Sequence, residues 1–155
     1  MKRWLWYLAA VVLVAALGWM PFHGTDVAKL QPVELLCVMA DGGKVKVQTD
    51  TGESGQGAML QEAVFDLKES TAGEIFLDTA DFLLLSESAL YLMDEMGAYL
   101  RPGCKVCLFT DAPETETAAR FLRTHAPDKT LLDYRAGDCS LPRLIIQKER
   151  MYLVS

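Results

Sequence analysis

The residues with the widest chemical reach in this sequence are its four cysteines, Cys37, Cys104, Cys107 and Cys139. Cys104-Lys105-Val106-Cys107 matches the C-x-x-C pattern. In thioredoxin-like sites that pattern opens a helix, which brings two sulfurs together and lowers a thiol pKa. Here it leads into Val106-Cys107-Leu108-Phe109, an apolar run of the strand kind. Three residues of strand span about 10 Å, whereas a disulfide needs Cα atoms closer than about 7 Å. A turn at Gly103 shortens the span, so Cys104 and Cys107 remain the alternative redox pair. A four-cysteine zinc site would need a second close pair and would draw Cys37 and Cys107 out of apolar strands. Buried cysteine acting as a small hydrophobe fits Cys37 and Cys107 best.

The other polar candidates lack partners. His23 and His125 have no neighbour whose spacing suggests a metal or a relay. Asp78 and Asp81, and Asp94 and Glu95, are paired carboxylates, but no base or nucleophile accompanies them. There is no G-x-S-x-G. Asp50 to Gly57 carries Gly52, Gly55 and Gly57 ahead of a helix, without a Gly-Lys-Ser/Thr or G-x-G-x-x-G pattern and with two acids in the loop. A solvated linker fits it better than a phosphate cradle. The sequence therefore points to no enzyme: no catalytic, cofactor-binding or metal residues are expected.

The elements that would position these residues centre on positions 57–111. Leu60, Ala63, Val64 and Leu67 share one face of a helix expected over Gly57 to Lys68. Asp81-Phe82-Leu83-Leu84-Leu85 is an unbroken apolar run, the pattern of a strand covered on both faces. A second helix follows, capped at Ser86 or Ser88, with Ala89, Leu92, Met93, Met96 and Leu100 as its stripe and Arg101-Pro102-Gly103 as its stop. Strand, helix and strand make a βαβ crossover. Ahead of this unit, Val33 to Met39 reads as a buried strand, Asp41-Gly42-Gly43 as a hairpin turn, and Lys44 to Thr49 as a strand with one wet face. After it, Pro113 and Glu114 open a helix running to Arg123, with Ala118, Phe121 and Leu122 facing inward. Leu144-Ile145-Ile146 and Tyr152-Leu153-Val154 form a final hairpin or one bent strand.

The chain has 155 residues and a net charge of −6. Met1-Lys2-Arg3 is a short positive start, and Trp4 to Met20 then carries no charge. As a helix this segment would be about 26 Å long. Trp4, Trp6 and Tyr7 at one end and Trp19 at the other resemble interfacial aromatics. Ala16-Leu17-Gly18 offers a small-x-small cleavage site, but length and flanking tryptophans favour an uncleaved signal anchor over a removed signal peptide. Lys2 and Arg3 keep the N-terminus cytoplasmic, so the body is expected outside the cytoplasm on a single-pass cell-membrane anchor. Beyond that segment, 13 basic residues face 21 acidic ones. A body this acidic, without a basic stripe, excludes the usual nucleic-acid binder.

The expected organisation is an anchor or signal over 1–21, a linker over 22–32 and one α/β domain over 33–155. Its fold class is α/β (α+β-like): an N-terminal transmembrane helix, then a small mixed β-sheet with about three helices. The order of features resembles the N-terminal domain of the Ger(x)C family, the C subunits of spore germinant receptors. Leu35 to Thr49 would be its hairpin and Gly55-Gln56-Gly57-Ala58-Met59-Leu60-Gln61-Glu62-Ala63 its glycine loop and helix. Gly73-Glu74-Ile75-Phe76-Leu77 and Phe82-Leu83-Leu84-Leu85-Ser86-Glu87 would be its strand region, and Leu100-Arg101 the helix end. The resemblance spans roughly residues 33 to 125. Family members carry a lipidated cysteine after the signal and two further domains; no cysteine follows the apolar segment closely here and the chain ends about where the second domain would begin, so the resemblance is to a truncated relative without the lipobox. It implies a non-enzymatic scaffold or adaptor in germination or sporulation, at the outer face of the spore inner membrane. Integral membrane receptor subunits would be its partners, and it implies no catalytic residues. An envelope thiol-disulfide protein using Cys104 and Cys107, or an anchored ligand-binding domain, are the competing expectations.

Overall fold

The computed structural model describes residues 30–148 and 150–154, with the isolated positions 7 and 12. The expected anchor over 1–21 and most of the 22–32 linker, His23 included, lie outside the described residues. Among the described residues no helix is long and apolar enough to cross a membrane.

A mixed sheet of seven strands forms the frame. In chain order these are β2 (Leu35–Asp41), β3 (Lys44–Thr49), β4 (Ser54–Gly57), β6 (Phe82–Ser86), β7 (Lys105–Phe109), β8 (Arg143–Gln147) and β9 (Arg150–Val154). Two short strands, β1 (Leu30–Pro32) and β5 (Glu74–Phe76), pair in parallel beside it, so the last three residues of the expected linker are strand. The spatial order is β4-β3-β2-β6-β7-β8-β9. The four middle strands are mutually parallel, and an antiparallel hairpin closes each side. The first hairpin turns on Gly42 and Gly43, at φ 55° and 77°. Asp41 pairs directly with Lys44, so the reversal takes two residues, both left-handed, as glycine permits.

Among residues 30–148 and 150–154, four α-helical segments accompany the sheet, α1 (Leu60–Ser70), α2 (Met93–Met96), α3 (Thr115–Thr124) and α4 (Leu131–Arg135), with 3-10 turns at Leu77–Thr79 and Glu87–Leu92. Strand alternation sorts the apolar residues into two layers. Leu36, Val38, Leu83, Leu85, Val106 and Leu108 point into a larger layer with the buried faces of α1, α2 and α4. Leu35, Cys37, Phe82, Leu84, Cys107, Phe109 and Leu144 point the other way, where α3 supplies Ala118, Ala119 and Leu122.

Three local expectations change. The second helix is mostly 3-10: Glu87 to Leu92 winds tightly, and only Met93–Met96 is α. Its stripe of Ala89, Leu92, Met93, Met96 and Leu100 is nonetheless buried. Neither serine caps it: Ser86 Oγ accepts from the Ala40 amide, and Ser88 Oγ donates to the Ala40 carbonyl at 2.5 Å. The two hydroxyls thus continue the β2–β6 pairing past Val38 and Leu85, where the backbone ladder ends. The glycine-rich linker contains edge strand β4, and the first helix starts only at Leu60. A Cβ on Gly55 would lie 2.3 Å from the Ala63 carbonyl oxygen and from the Leu67 amide nitrogen. Glycine is there because α1 rests directly on the strand backbone. Finally, α4 is a further short helix, over a stretch between Arg123 and Leu144 for which no element was expected. Thr130 Oγ1 accepts from the Asp133 amide and the Asp133 carboxylate accepts from the Thr130 amide, a capping box.

Candidate functional site

The four thiols are held apart. Cys107 lies mid-strand in β7 on the α3 side of the sheet, while Cys104, just before β7, packs in the opposite layer beneath α1, α2 and α4. The C-x-x-C pair therefore straddles the sheet, because the odd spacing along an extended chain reverses the side-chain direction. Cys37 does share the layer of Cys107. The register sets Cys37 opposite Leu84 and Leu84 opposite Cys107, so one whole strand separates the two sulfurs. Two strand spacings amount to about 10 Å, beyond disulfide reach.

All three are buried, and burial pushes each thiol up to about 12; Lys46 opposes this weakly at Cys37, and Arg101 at Cys104. At neutral pH they stay protonated, the form that is neither nucleophile nor metal ligand. Cys139 is exposed, and all four thiols are free. Among the described residues no three His, Cys, Asp or Glu side chains converge as metal ligands.

Several carboxylates and His125 are likewise engaged in structure, and the other described carboxylates are exposed. Asp81 forms an ion pair with Arg101, both about half exposed. Asp78 sits exposed in the 3-10 turn before β6, and Asp94 and Glu95 lie on the outer side of α2. His125 ends α3, its ring stacked on Phe121 with centroids 4.5 Å apart and its Nδ1 2.8 Å from Thr124 Oγ1. Glu34 receives Arg123 in a two-pronged ion pair that holds the end of α3 to the start of β2. Asp138 accepts from Lys129 and from Ser140, and these bonds hold its carboxyl down at about 2. The Thr51 hydroxyl lowers Glu53 in the same way.

What stands open is surface. Beyond α3, the second face of the sheet leaves Met39, Phe121, Met151 and Leu153 half-buried. Phe121, His125, Arg150, Met151, Tyr152 and Leu153 line a shallow groove there. Only Arg143 and Leu144 of β8 pair with β7, so Ile145, Ile146 and Gln147 run past its end, paired only by β9. Sequence reasoning expected a final hairpin or one bent strand there, but not that it would run past the end of β7. The i, i+4 spacing of Phe121 and His125 was the one local signal for the groove. Comparison with models of known protein families, with curated proteins and with solved structures gave no match.

Proposed function

We propose that this chain is a membrane-tethered, non-enzymatic α/β domain, resembling the N-terminal domain of a spore germinant receptor C subunit and acting as a scaffold or adaptor in germination or sporulation. The observation that carries the non-catalytic part is the fate of the reactive side chains. Three of four thiols are consumed in two separate hydrophobic layers and pushed up to about 12. The surface left over consists of a half-covered sheet face and a protruding hairpin, features suited to contact. The membrane part rests on the positive start, the uncharged Trp4 to Met20 segment and its aromatic flanks. The germination part rests on the order of hairpin, glycine segment, helix and strand in the sequence.

The thiol-disulfide reading is the one to test against. The full chain and its Cys104→Ser/Cys107→Ala variant are compared for disulfide exchange with a glutathione-coupled substrate, and for co-purification with receptor subunits from spore inner membranes. The adaptor reading expects no exchange by either protein and equal co-purification. Exchange by the wild type that is lost in the variant would overturn it.

A further inference from the structure

The two outer strands of the sheet are finished in opposite ways. On β4 the edge is blocked from its own chain: the Gln56 amide donates to Asp66 Oδ2 of α1 at 2.8 Å, and the Ala58 amide just beyond donates to Glu62 Oε2 at 2.9 Å. The strand is also four residues long with two glycines. Such blocking is how proteins prevent one sheet from adding to another. On β9 there is none. Arg150-Met151-Tyr152-Leu153-Val154 has no proline, no glycine, no inward charge, and four residues of high strand preference or apolar character. Among the described residues no side chain accepts from its amides.

We propose that β9 is a self-association edge, and that two copies of this chain join by antiparallel pairing of β9 with β9 about Tyr152, so that one seven-stranded sheet continues into the other.

The register follows from the hairpin. Gln147 pairs with Arg150, so the reversal takes two residues, and Lys148 adopts φ 47° in it. Residues flanking a two-residue turn exchange both backbone hydrogen bonds, and bonding alternates from there. Arg150, Tyr152 and Val154 thus direct their amides and carbonyls toward β8, and Met151 and Leu153 direct theirs outward. A two-fold axis at Tyr152 sets Met151 against Leu153 of the second copy and Leu153 against its Met151. Those two pairs form four backbone hydrogen bonds, the most that the outward groups allow.

Side chains agree with that register. Leu153 opposes Leu144 and Met151 opposes Ile146, which places Met151 and Leu153 on the α3 side of the sheet. Across the axis they meet their counterparts and extend apolar cover beside Phe121 on the half-covered face. On the other face Tyr152 meets Tyr152, and Arg150 meets Val154, so no like charges stand opposite one another. The occupant is a second copy because the strand is complementary to itself in hydrogen bonding, in apolar contact and in charge at one register. The net charge of −6 per chain opposes the approach, so association should strengthen with salt.

The test uses the full chain in detergent micelles with Cys139→Ser to remove the exposed thiol. In the pair of non-hydrogen-bonded residues at the axis, Cα atoms stand about 4.5 Å apart, within disulfide reach. Mild oxidation of Tyr152→Cys should give a covalent dimer. Arg150→Cys and Val154→Cys should each stay monomeric alone and cross-link when mixed. Sedimentation velocity over about 5–500 μM, the range for an interface at the small end of the size classes, should show reversible dimers. Tyr152→Lys should abolish them while the circular dichroism stays unchanged. A Tyr152→Cys chain that remains monomeric, Arg150→Cys cross-linking by itself as fully as Tyr152→Cys, or dimers that persist in Tyr152→Lys would overturn the proposal.

Discussion

The two faces of the sheet bury equally apolar strands under unequal cover. On one, α1, the 3-10 turns, α2 and α4 close over Leu36, Val38, Leu83, Leu85 and Val106. On the other, ten residues of α3 do the same work for Leu35, Cys37, Leu84 and Cys107, and Phe121, Met151 and Leu153 stay half-buried. The mode of attachment differs too. The first layer is held by direct backbone packing, as at Gly55. The second depends on tethers: Thr115 Oγ1 donates to the Thr49 carbonyl at 2.8 Å, and Arg123 grips Glu34. A layer with few buried contacts opens at lower free energy than a closed one. The lesson is that burial of individual side chains does not measure how firmly a face is closed.

The sharpest attack on that contrast is a charge in the thinner layer. Leu84→Asp should prevent folding, because an unpaired buried charge costs several kcal/mol. Its neighbour provides the comparison, since Leu83 and Leu84 are both fully buried but face opposite layers. Each truncation to alanine should cost about 2–5 kcal/mol, Leu83 near the top of the range and Leu84 near the bottom, because α3 can settle into the space. Urea melts of the full chain in detergent measure both; a larger loss at Leu84 would break the comparison.

A smaller loss is expected at Gly55. Gly55→Ala must push α1 off β4 and should cost about 1–3 kcal/mol, the usual scale of overpacking. A melt unchanged within surface noise would mean that the first layer is less firmly closed than Gly55 implies.

Thiol labelling resolves the layers without altering them. In native buffer a maleimide should modify Cys139 alone, since the other three are buried. In urea below the main transition Cys37 and Cys107, under α3, should label before Cys104, as mapped by peptide mass. Cys104 labelling first would reverse the assignment.

The least effect concerns Asp138, which lies outside both layers. Its carboxyl is lowered to about 2 from 3.8, first by the Lys129 hydrogen bond and then by Ser140. A depressed acid stabilises the fold fully above its unfolded value near 3.8, and that share is lost as pH falls toward 2. Asp138→Asn should flatten the melting temperature between those values and leave the labelling order unchanged. An unaltered acid limb would show that the Lys129 contact is absent in solution.

Much of the frame is legible in the sequence. The alternation in Lys44 to Thr49, the apolar runs at Phe82 to Leu85 and Val106 to Phe109, and the stripe Leu60, Ala63, Val64, Leu67 are periods written into neighbouring residues. The spread of Cys104 and Cys107 along extended backbone followed from the same rule. A Thr-x-x-Asp signature at Thr130 is the local signal for α4 that the sequence reading did not use.

Sequence alone therefore determined β2, β3, β6, β7, the main helix, the Gly42-Gly43 turn and the uncharged N-terminal segment with its positive start, because each is set by residues within one or two turns of one another. Only the tertiary structure decided that Ser54 to Gly57 is a strand, that Ser86 and Ser88 bond to Ala40, that Cys37 and Cys107 share a layer with Leu84 between them, and that β4 is blocked while β9 stands open. Each of those outcomes depends on groups that meet across strands or layers. A glycine against a helix, a hydroxyl finishing a ladder and an amide without an acceptor look alike in a linear chain, and differ only in what the fold brings within about 3 Å of them.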